Sequence, residues 1–142
     1  MGRVVGIDYG RVRIGVAISD ETKFIARSIA CLPFSKKFPE LLKATLKEFT
    51  NIEAIVIGLP LQMNGKEGIM ATEVRAFGET LRALFTMPII FWDERLSSAQ
   101  AERFLKESDF NRKKRSERID EQAAVVILQS YLDCKDSTKF PQ

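Results

Sequence analysis

A short apolar run near the amino terminus constrains the fold more than any other part of the chain. Residues 4–7 have the pattern of a strand that is buried on both faces, and Asp8 follows where the chain is about to turn. A carboxylate beside a buried strand costs free energy unless a donor, a basic group or a metal ion neutralises it. Asp8 is therefore either a functional group or a turn residue that bonds its own backbone. The flanking Gly6 and Gly10 are interpreted as leaving room for a large ligand.

The apolar pattern along the rest of the chain predicts the order three strands, helix, strand, helix, strand, helix, helix. The predicted elements are strands at 4–7, 14–19 and 24–32, a helix at 39–49, a strand at 54–60, a helix around 74–84, a strand at 87–92, and helices at 97–107 and 119–132. This order predicts an α/β fold with a mixed five-stranded sheet, an antiparallel three-strand meander plus parallel strands, with helices on both faces. Ligands of such sheets gather beyond the carboxyl ends of the parallel strands.

The composition limits the chemistry and the cellular context. With 142 residues we expect a single domain spanning residues 1–142, with a frayed tail at about 134–142. The chain has no histidine, which excludes Ser–His–Asp and Cys–His catalysis and His-based zinc sites. Two widely spaced cysteines, no secretory signal pattern and no membrane-spanning run predict a cytoplasmic protein with no membrane partner. The net charge of +3 permits nucleic acid as a partner.

Three acidic positions are candidates for one site. Asp8 and the pair Asp93-Glu94 follow predicted strands, and Asp120 begins a helix face that is apolar further on. An Asp in a first helical turn also complements the helix dipole, so Asp120 alone is ambiguous. Several carboxylates at one site repel each other unless cations bind, and oxygen ligands suit Mg²⁺, or Mn²⁺ as a substitute. Such ions support phosphodiester hydrolysis without a histidine.

Basic residues supply candidate contacts to phosphate groups. Four lie in or near the predicted site loops: Arg11, Arg13, Lys66 and Arg95. Arg95 has an equally good alternative role, pairing with Asp93 or Glu94 to orient them. A charged segment at 111–118 is either a phosphate-binding arm or a solvated, mobile linker between helices. Its candidate contacts are Arg112, Lys113, Lys114 and Arg115.

Taken in order, several stretches resemble the YqgF/RuvX family of nucleases, which have a ribonuclease H-like, resolvase-like fold. The matching stretches are 6–17 with 19–20, 58–61 with 64–65, 93–96, and 120–124 with 127–129. The resemblance implies that Asp8, Glu94 and Asp120 are the catalytic, metal-binding carboxylates. Glu94 is preferred because the family's triad is usually Asp, Glu, Asp, and Asp93 is the alternate. Side chains alternate along a strand, so only one of these two neighbours is expected to point at the site if the strand continues that far.

The resemblance also implies a substrate class. It predicts a metal-dependent nuclease acting on structured nucleic acid, most simply in processing the 5′ end of pre-16S rRNA during ribosome biogenesis. Two alternatives are a Holliday junction resolvase, a DNA endonuclease, and a non-catalytic nucleic-acid-binding module. The protein is expected to be a monomer or a homodimer, and cutting both strands of a junction favours a symmetric dimer. A sugar-kinase relative needs a second half that 142 residues cannot contain.

Overall fold

The computed structural model describes residues 2–97 and 113–135, and in the second segment the side chains of residues 122–134. Its strands are β1 (Arg3–Asp8), β2 (Arg13–Ser19), β3 (Ala26–Pro33), β4 (Ile52–Leu59) and β5 (Ile89–Asp93). They form one sheet in the order β3-β2-β1-β4-β5. The first three strands are an antiparallel meander, whereas β4 and β5 run parallel to β1. The predicted α/β fold with a mixed five-stranded sheet is confirmed.

Helices cover both faces of the sheet, as predicted. They are α1 (Phe38–Leu46), α2 (Ile69–Leu84) and α3 (Lys113–Lys135). One core joins the sheet to α1 and α2, and it includes Ile7, Ile57, Leu42 and Leu81. A second core joins the other face to α3, and it includes Val56, Ala124, Ile127 and Leu128. Among the described residues, no helix is both long and apolar enough to cross a bilayer.

Close packing of α3 depends on a glycine in β1. A side chain added at Gly6 would come within 2.6 Å of the Cβ of Leu128 and 3.2 Å of the carbonyl oxygen of Ala124. Gly6 therefore makes room for a helix, and the interpretation that it leaves room for a ligand is wrong. At Gly10, an added side chain would collide with the backbone carbonyl of Arg13 across the tight β1–β2 turn.

The third strand begins two residues later than predicted, at Ala26. The carboxylate of Asp20 accepts the backbone N–H groups of Phe24 and Ile25, at 2.8 and 2.9 Å. These bonds hold residues 24 and 25 in the turn, so the backbone N–H groups of these two residues are not available to pair with β2. A side chain thus competes with the sheet for the backbone donors, which is a common property of Asp in turns.

The last helix begins at Lys113, six residues before the predicted start, so the prediction of a linker through residue 118 is wrong. The error has a physical cause, because Lys, Arg and Glu are good helix formers even where no apolar periodicity marks the helix. Nearly all of the predicted helix at 97–107 lies outside the described part of the chain, because the description stops at residue 97 and resumes at 113. The tail from residue 136 also lies outside it.

Candidate active site

Asp8 is a buried carboxylate at the carboxyl end of β1. Only 2% of the residue is exposed. Side chains two apart on a strand share a face, so Asp8 lies on the same face as Gly6, which contacts α3. The register continues to Asp8, which pairs with Gly15 of β2. Asp8 therefore lies on the face of the sheet that α3 covers, where a buried charge needs compensating groups.

Glu94 is the second buried carboxylate, and it is 0% exposed. It follows β5 directly and opens a 3-10 turn, Glu94–Leu96. A side chain added at Gly58, near the end of β4, would come within 2.7 Å of Glu94 Oε1 and 2.5 Å of Ile127 Cδ1. Because Gly58 has no side chain, the Glu94 carboxylate can occupy the space between β4 and α3 that a side chain would fill.

The sheet register brings the two acids together. Ile7 of β1 pairs with Ile57 of β4, so Asp8 and Gly58 come next on these neighbouring parallel strands. Adjacent strands are about 4.8 Å apart. Because Glu94 lies over Gly58, its carboxylate is on the face of the sheet that carries Asp8, at the end of the neighbouring strand. Two of the three predicted site acids are thus buried on the same face of the sheet, at the carboxyl ends of its parallel strands.

Asp93 has a different environment, although it is adjacent to Glu94 in the chain. Its carboxylate forms an ion pair with Arg95 at 2.8 Å and also accepts the Arg95 backbone N–H at 2.9 Å. Hydrogen bonds from the Arg95 side chain are the main reason that the pKa of Asp93 lies below its usual range. Of the two roles that the sequence allows for Arg95, the structure therefore shows pairing with Asp93.

The same guanidinium also contacts the loop after β4. Arg95 Nη1 donates to the carbonyl of Met63 at 3.4 Å and lies 3.5 Å from where a side chain of Gly65 would begin. The loop itself is closed by backbone bonds from Gly65 to Gln62 at 2.8 Å and from Gln62 to Lys66 at 2.9 Å. Lys66 is exposed on this loop. Arg95 thus links the loop to the end of β5.

Arg11 lies toward the opposite face of the sheet. Its guanidinium donates to both carboxylate oxygens of Glu73 on α2, at 2.6 and 3.1 Å, and the Tyr9 hydroxyl donates to the same carboxylate at 3.4 Å. Since α2 packs on the face away from α3, Arg11 is directed away from the buried acids. Arg13 is half-buried at the start of β2.

The remaining predicted site residues lie in or next to the least described segment. Arg112 lies outside the described residues, and the side chains of Lys113, Lys114, Arg115 and Asp120 do too, although their backbone belongs to α3. Ala124, one turn after Asp120, packs beside Gly6 as the predicted helix face requires. Among the described side chains, no group of three or more acids or cysteines is arranged to hold a metal ion. The described part of the site therefore contributes two carboxylates.

Sequence reasoning missed the part that Gly58 plays. It recognised the stretch 58–61 as a motif but assigned no function to it. The available signal is a glycine that interrupts the apolar run of a buried strand, which marks close approach of another group. Only the position of Glu94 identifies which group approaches.

The mixed sheet of order β3-β2-β1-β4-β5, with helices on both faces, is an α/β fold of the ribonuclease H-like class. Its structure resembles that of Thermus thermophilus RuvC in complex with a Holliday junction substrate, with a TM-score of 0.54 and 18% identity, covering 96% of this chain and 97% of that one. At this identity the likeness shows a shared fold. The chain belongs to the RuvX family, described as Holliday junction resolvase, whose pattern matches residues 2–134.

Two bacterial relatives agree with this membership, and both carry the name "Putative pre-16S rRNA nuclease". The protein of Protochlamydia amoebophila is 45% identical over 141 residues, 94% of each chain. The protein of Caldanaerobacter subterraneus subsp. tengcongensis is 46% identical over 140 residues, covering 96% of this chain and 99% of the relative. The chain is thus a member of a nuclease family, and the resemblance inferred from its motifs is confirmed.

Proposed function

We propose that this chain is a nuclease that uses a divalent metal ion, Mg²⁺ or Mn²⁺ in its place, to hydrolyse phosphodiester bonds in structured nucleic acid. The observation that carries the proposal is the position of Asp8 and Glu94, two buried carboxylates on one face of the sheet at the carboxyl ends of neighbouring parallel strands. Two carboxylates buried in one site repel each other when both are charged, and a bound cation relieves this repulsion. A buried acid pair of this kind therefore favours cation binding over a purely structural role.

The donor set fits a hard cation. Asp8 and Glu94 offer only oxygen, the ligand type that Mg²⁺ and Mn²⁺ prefer, and Asp120 of α3 is the proposed third ligand. A bound ion would polarise the phosphoryl group and lower the pKa of a water. The chain's own contribution is geometric: Gly58 leaves the space beside β4 that the Glu94 carboxylate occupies, and Ile127 of α3 borders the same space. Pairing with Arg95 keeps the Asp93 carboxylate engaged elsewhere, so Glu94 is the proposed ligand of the two.

The proposed substrate is pre-16S rRNA, as the names of the two relatives suggest, and the proposed cleavage is at its 5′ end. The proposed setting is the cytoplasm, where the protein acts as one domain, either as a monomer or as a homodimer. Arg13, Lys66 and the basic start of α3 are proposed to contact phosphates, with Arg11 and Arg95 available if they leave their acidic partners. The family description favours a second candidate, cleavage of a Holliday junction.

Cleavage assays with the wild type and Asp8→Asn test the proposal. Each protein is incubated with a pre-16S rRNA fragment and with a four-way DNA junction, with and without Mg²⁺ or Mn²⁺. We expect metal-dependent cleavage by the wild type and none by Asp8→Asn, and the substrate that is cut separates the two candidates. Binding of both substrates without cleavage of either would contradict the proposal and favour a binding module.

A metal titration provides a readout that does not depend on activity. Ligands that bind the folded state raise its melting temperature with concentration. We expect Mg²⁺ to stabilise the wild type and the control Asp93→Asn, but not Glu94→Gln. Asp93 and Glu94 are adjacent acids with different partners, which makes them a matched pair. Loss of the metal effect in Asp93→Asn instead would assign the ligand to Asp93.

A further inference from the structure

A serine hydroxyl on α3 binds both flanks of the turn that carries Glu94. Ser130 Oγ accepts a hydrogen bond from Trp92 Nε1 at 3.0 Å and donates one to the carbonyl oxygen of Leu96 at 3.1 Å. The directions of both bonds follow from the groups involved, because an indole N–H only donates and a carbonyl oxygen only accepts. Trp92 lies two residues before Glu94 in the chain, and Leu96 lies two residues after it. The hydroxyl therefore connects the two sides of the acid.

The turn itself has few bonds of its own. The backbone N–H and the hydroxyl of Ser97 both donate to the carbonyl oxygen of Glu94, at 3.1 and 3.0 Å. A single 3-10 turn gains little from such bonds, because their geometry is poor and the residues must be ordered to form them. Contacts with other elements must therefore help to keep the turn closed and in place.

The face of α3 that carries Ser130 packs against the end of β5. Ile127, three residues earlier, borders the space that the Glu94 carboxylate occupies. Tyr131, the next residue, meets the ring of Trp92 edge to face, with ring centroids 5.4 Å apart. Residues three and four apart on a helix share a face, so these side chains form one contact surface. The Ser130 hydroxyl lies within an extended contact between α3 and the strand that leads to Glu94.

We infer that Ser130 is a positioning residue, whose hydroxyl holds the Glu94 turn against α3 and so fixes the Glu94 carboxylate relative to the helix that carries Asp120. This inference rests on the proposed function, because it takes Glu94 and Asp120 as ligands of one ion. Acids from two elements hold an ion tightly only when the elements keep a fixed separation, since the ion requires its ligands at defined distances. Ser130 acts through the backbone of the turn and is not itself a ligand.

Hydrogen exchange tests the attachment without metal or substrate. The backbone amide of Ser97 is the probe, because it bonds to the Glu94 carbonyl and exchanges when the turn opens. Ser130→Ala removes both bonds of the hydroxyl, and we expect the Ser97 amide to exchange about tenfold faster than in the wild type. Ser130→Thr retains a hydroxyl at the same position and should restore slow exchange.

A magnesium titration tests the consequence for the proposed site. Removing a partner that holds a metal ligand in place typically weakens metal binding by about 10- to 100-fold. Ser130 acts on the turn rather than on the carboxylate, so we expect the smaller effect. Ser130→Ala should need about tenfold more Mg²⁺ than the wild type for the same rise in melting temperature, and Ser130→Thr should behave like the wild type.

Gln129→Ala is the matched control, because Gln129 makes an equivalent attachment of α3 at the other edge of the sheet. Its side-chain amide accepts the backbone N–H of Ala26 at 2.9 Å and donates to the carbonyl oxygen of Phe24 at 2.7 Å. The substitution therefore removes bonds between α3 and the start of β3, far from β5 in the strand order. It should leave the exchange of Ser97 and the Mg²⁺ requirement unchanged.

Unchanged exchange of Ser97 in Ser130→Ala would overturn the inference. An unchanged Mg²⁺ requirement would do the same, and so would equal effects of Gln129→Ala, since these would show only a general loosening of α3. Failure of the proposed function gives a different result. If no metal stabilises the wild type, yet fast exchange of Ser97 still follows the loss of the Ser130 hydroxyl alone, the metal chemistry is wrong and Ser130 still holds the turn.

Discussion

Replacing Gly58 with alanine would test how strictly the structure positions Glu94. The added methyl group would lie 2.7 Å from Glu94 Oε1 and 2.5 Å from Ile127 Cδ1. Real side chains almost never approach so closely, so one or both neighbours must move by about half an ångström or more. Both are fully buried, and neither can move into solvent. The carboxylate would therefore be displaced from its position beside Asp8.

The expected effects on stability and activity differ in size. Overpacking a core position by one methyl group costs about 1–3 kcal/mol in the free energy of unfolding. A displacement approaching 1 Å at a reacting group costs about 100-fold in rate. We expect urea unfolding of Gly58→Ala to show the modest loss, and cleavage per folded molecule to fall by about 10- to 100-fold.

Gly78→Ala is the matched control, because a side chain there would collide with Phe91 on the other face of the sheet, away from the acids. It should lose similar stability but keep its activity per folded molecule. Adding Ile127→Val to Gly58→Ala removes one of the two collisions and should restore stability more than activity. Full activity in Gly58→Ala would refute the reasoning, since it would show that the position of Glu94 does not matter.

Three other predictions concern turns and loops of the sheet. Backbone hydrogen bonds, above all from Ile25, lower the pKa of Asp20 from 3.8 to about 2. Its charged form therefore stabilises the fold above about pH 4 and loses this effect as the pH falls toward 2. Urea unfolding should show that Asp20→Asn is less stable than the wild type at pH 7 but not near pH 2. An equal difference in stability at both pH values would contradict this. If Arg11 leaves Glu73 to bind phosphate, Arg11→Ala should reduce the slope of log binding constant against log salt concentration by about one, and Glu73→Gln should not. An unchanged slope in Arg11→Ala would show that Arg11 does not contact the nucleic acid. Gly65 has a positive φ of 85°, so Gly65→Ala should lower the free energy of unfolding by about 1–2 kcal/mol, and a variant as stable as the wild type would show that this loop relaxes.

Much of the fold followed from local patterns. Apolar runs and alternation predicted every described strand and the first two helices, with errors mainly at the ends. The start of β3 was misplaced because a side chain, Asp20, holds the backbone donors of the preceding turn. The start of α3 was misplaced because charged helix formers carry no apolar periodicity. In both cases the deciding interaction is invisible to a pattern of apolar residues.

Only part of the candidate site could be predicted, because its acids are visible in the sequence but the contacts that distinguish them are not. Strand-end acids are visible in the sequence, and Asp8 is buried at the expected edge. The residues alone could not decide between Asp93 and Glu94 as the site acid, because both are acids at the end of one strand. The structure separates them, since one pairs with Arg95 and the other is enclosed by Gly58 and α3.

The sequence by itself determined the order of the described strands and helices, the α/β class and the family, because these depend on local periodicity and on short motifs in a fixed order. Only the tertiary structure decided that Gly6 receives a helix, that Gly58 receives a carboxylate, and that Arg11 is directed to α2. Each of these contacts joins elements that are distant in the chain. Their geometry depends on which strands are neighbours and on how closely α3 approaches the sheet, and no local pattern contains that information.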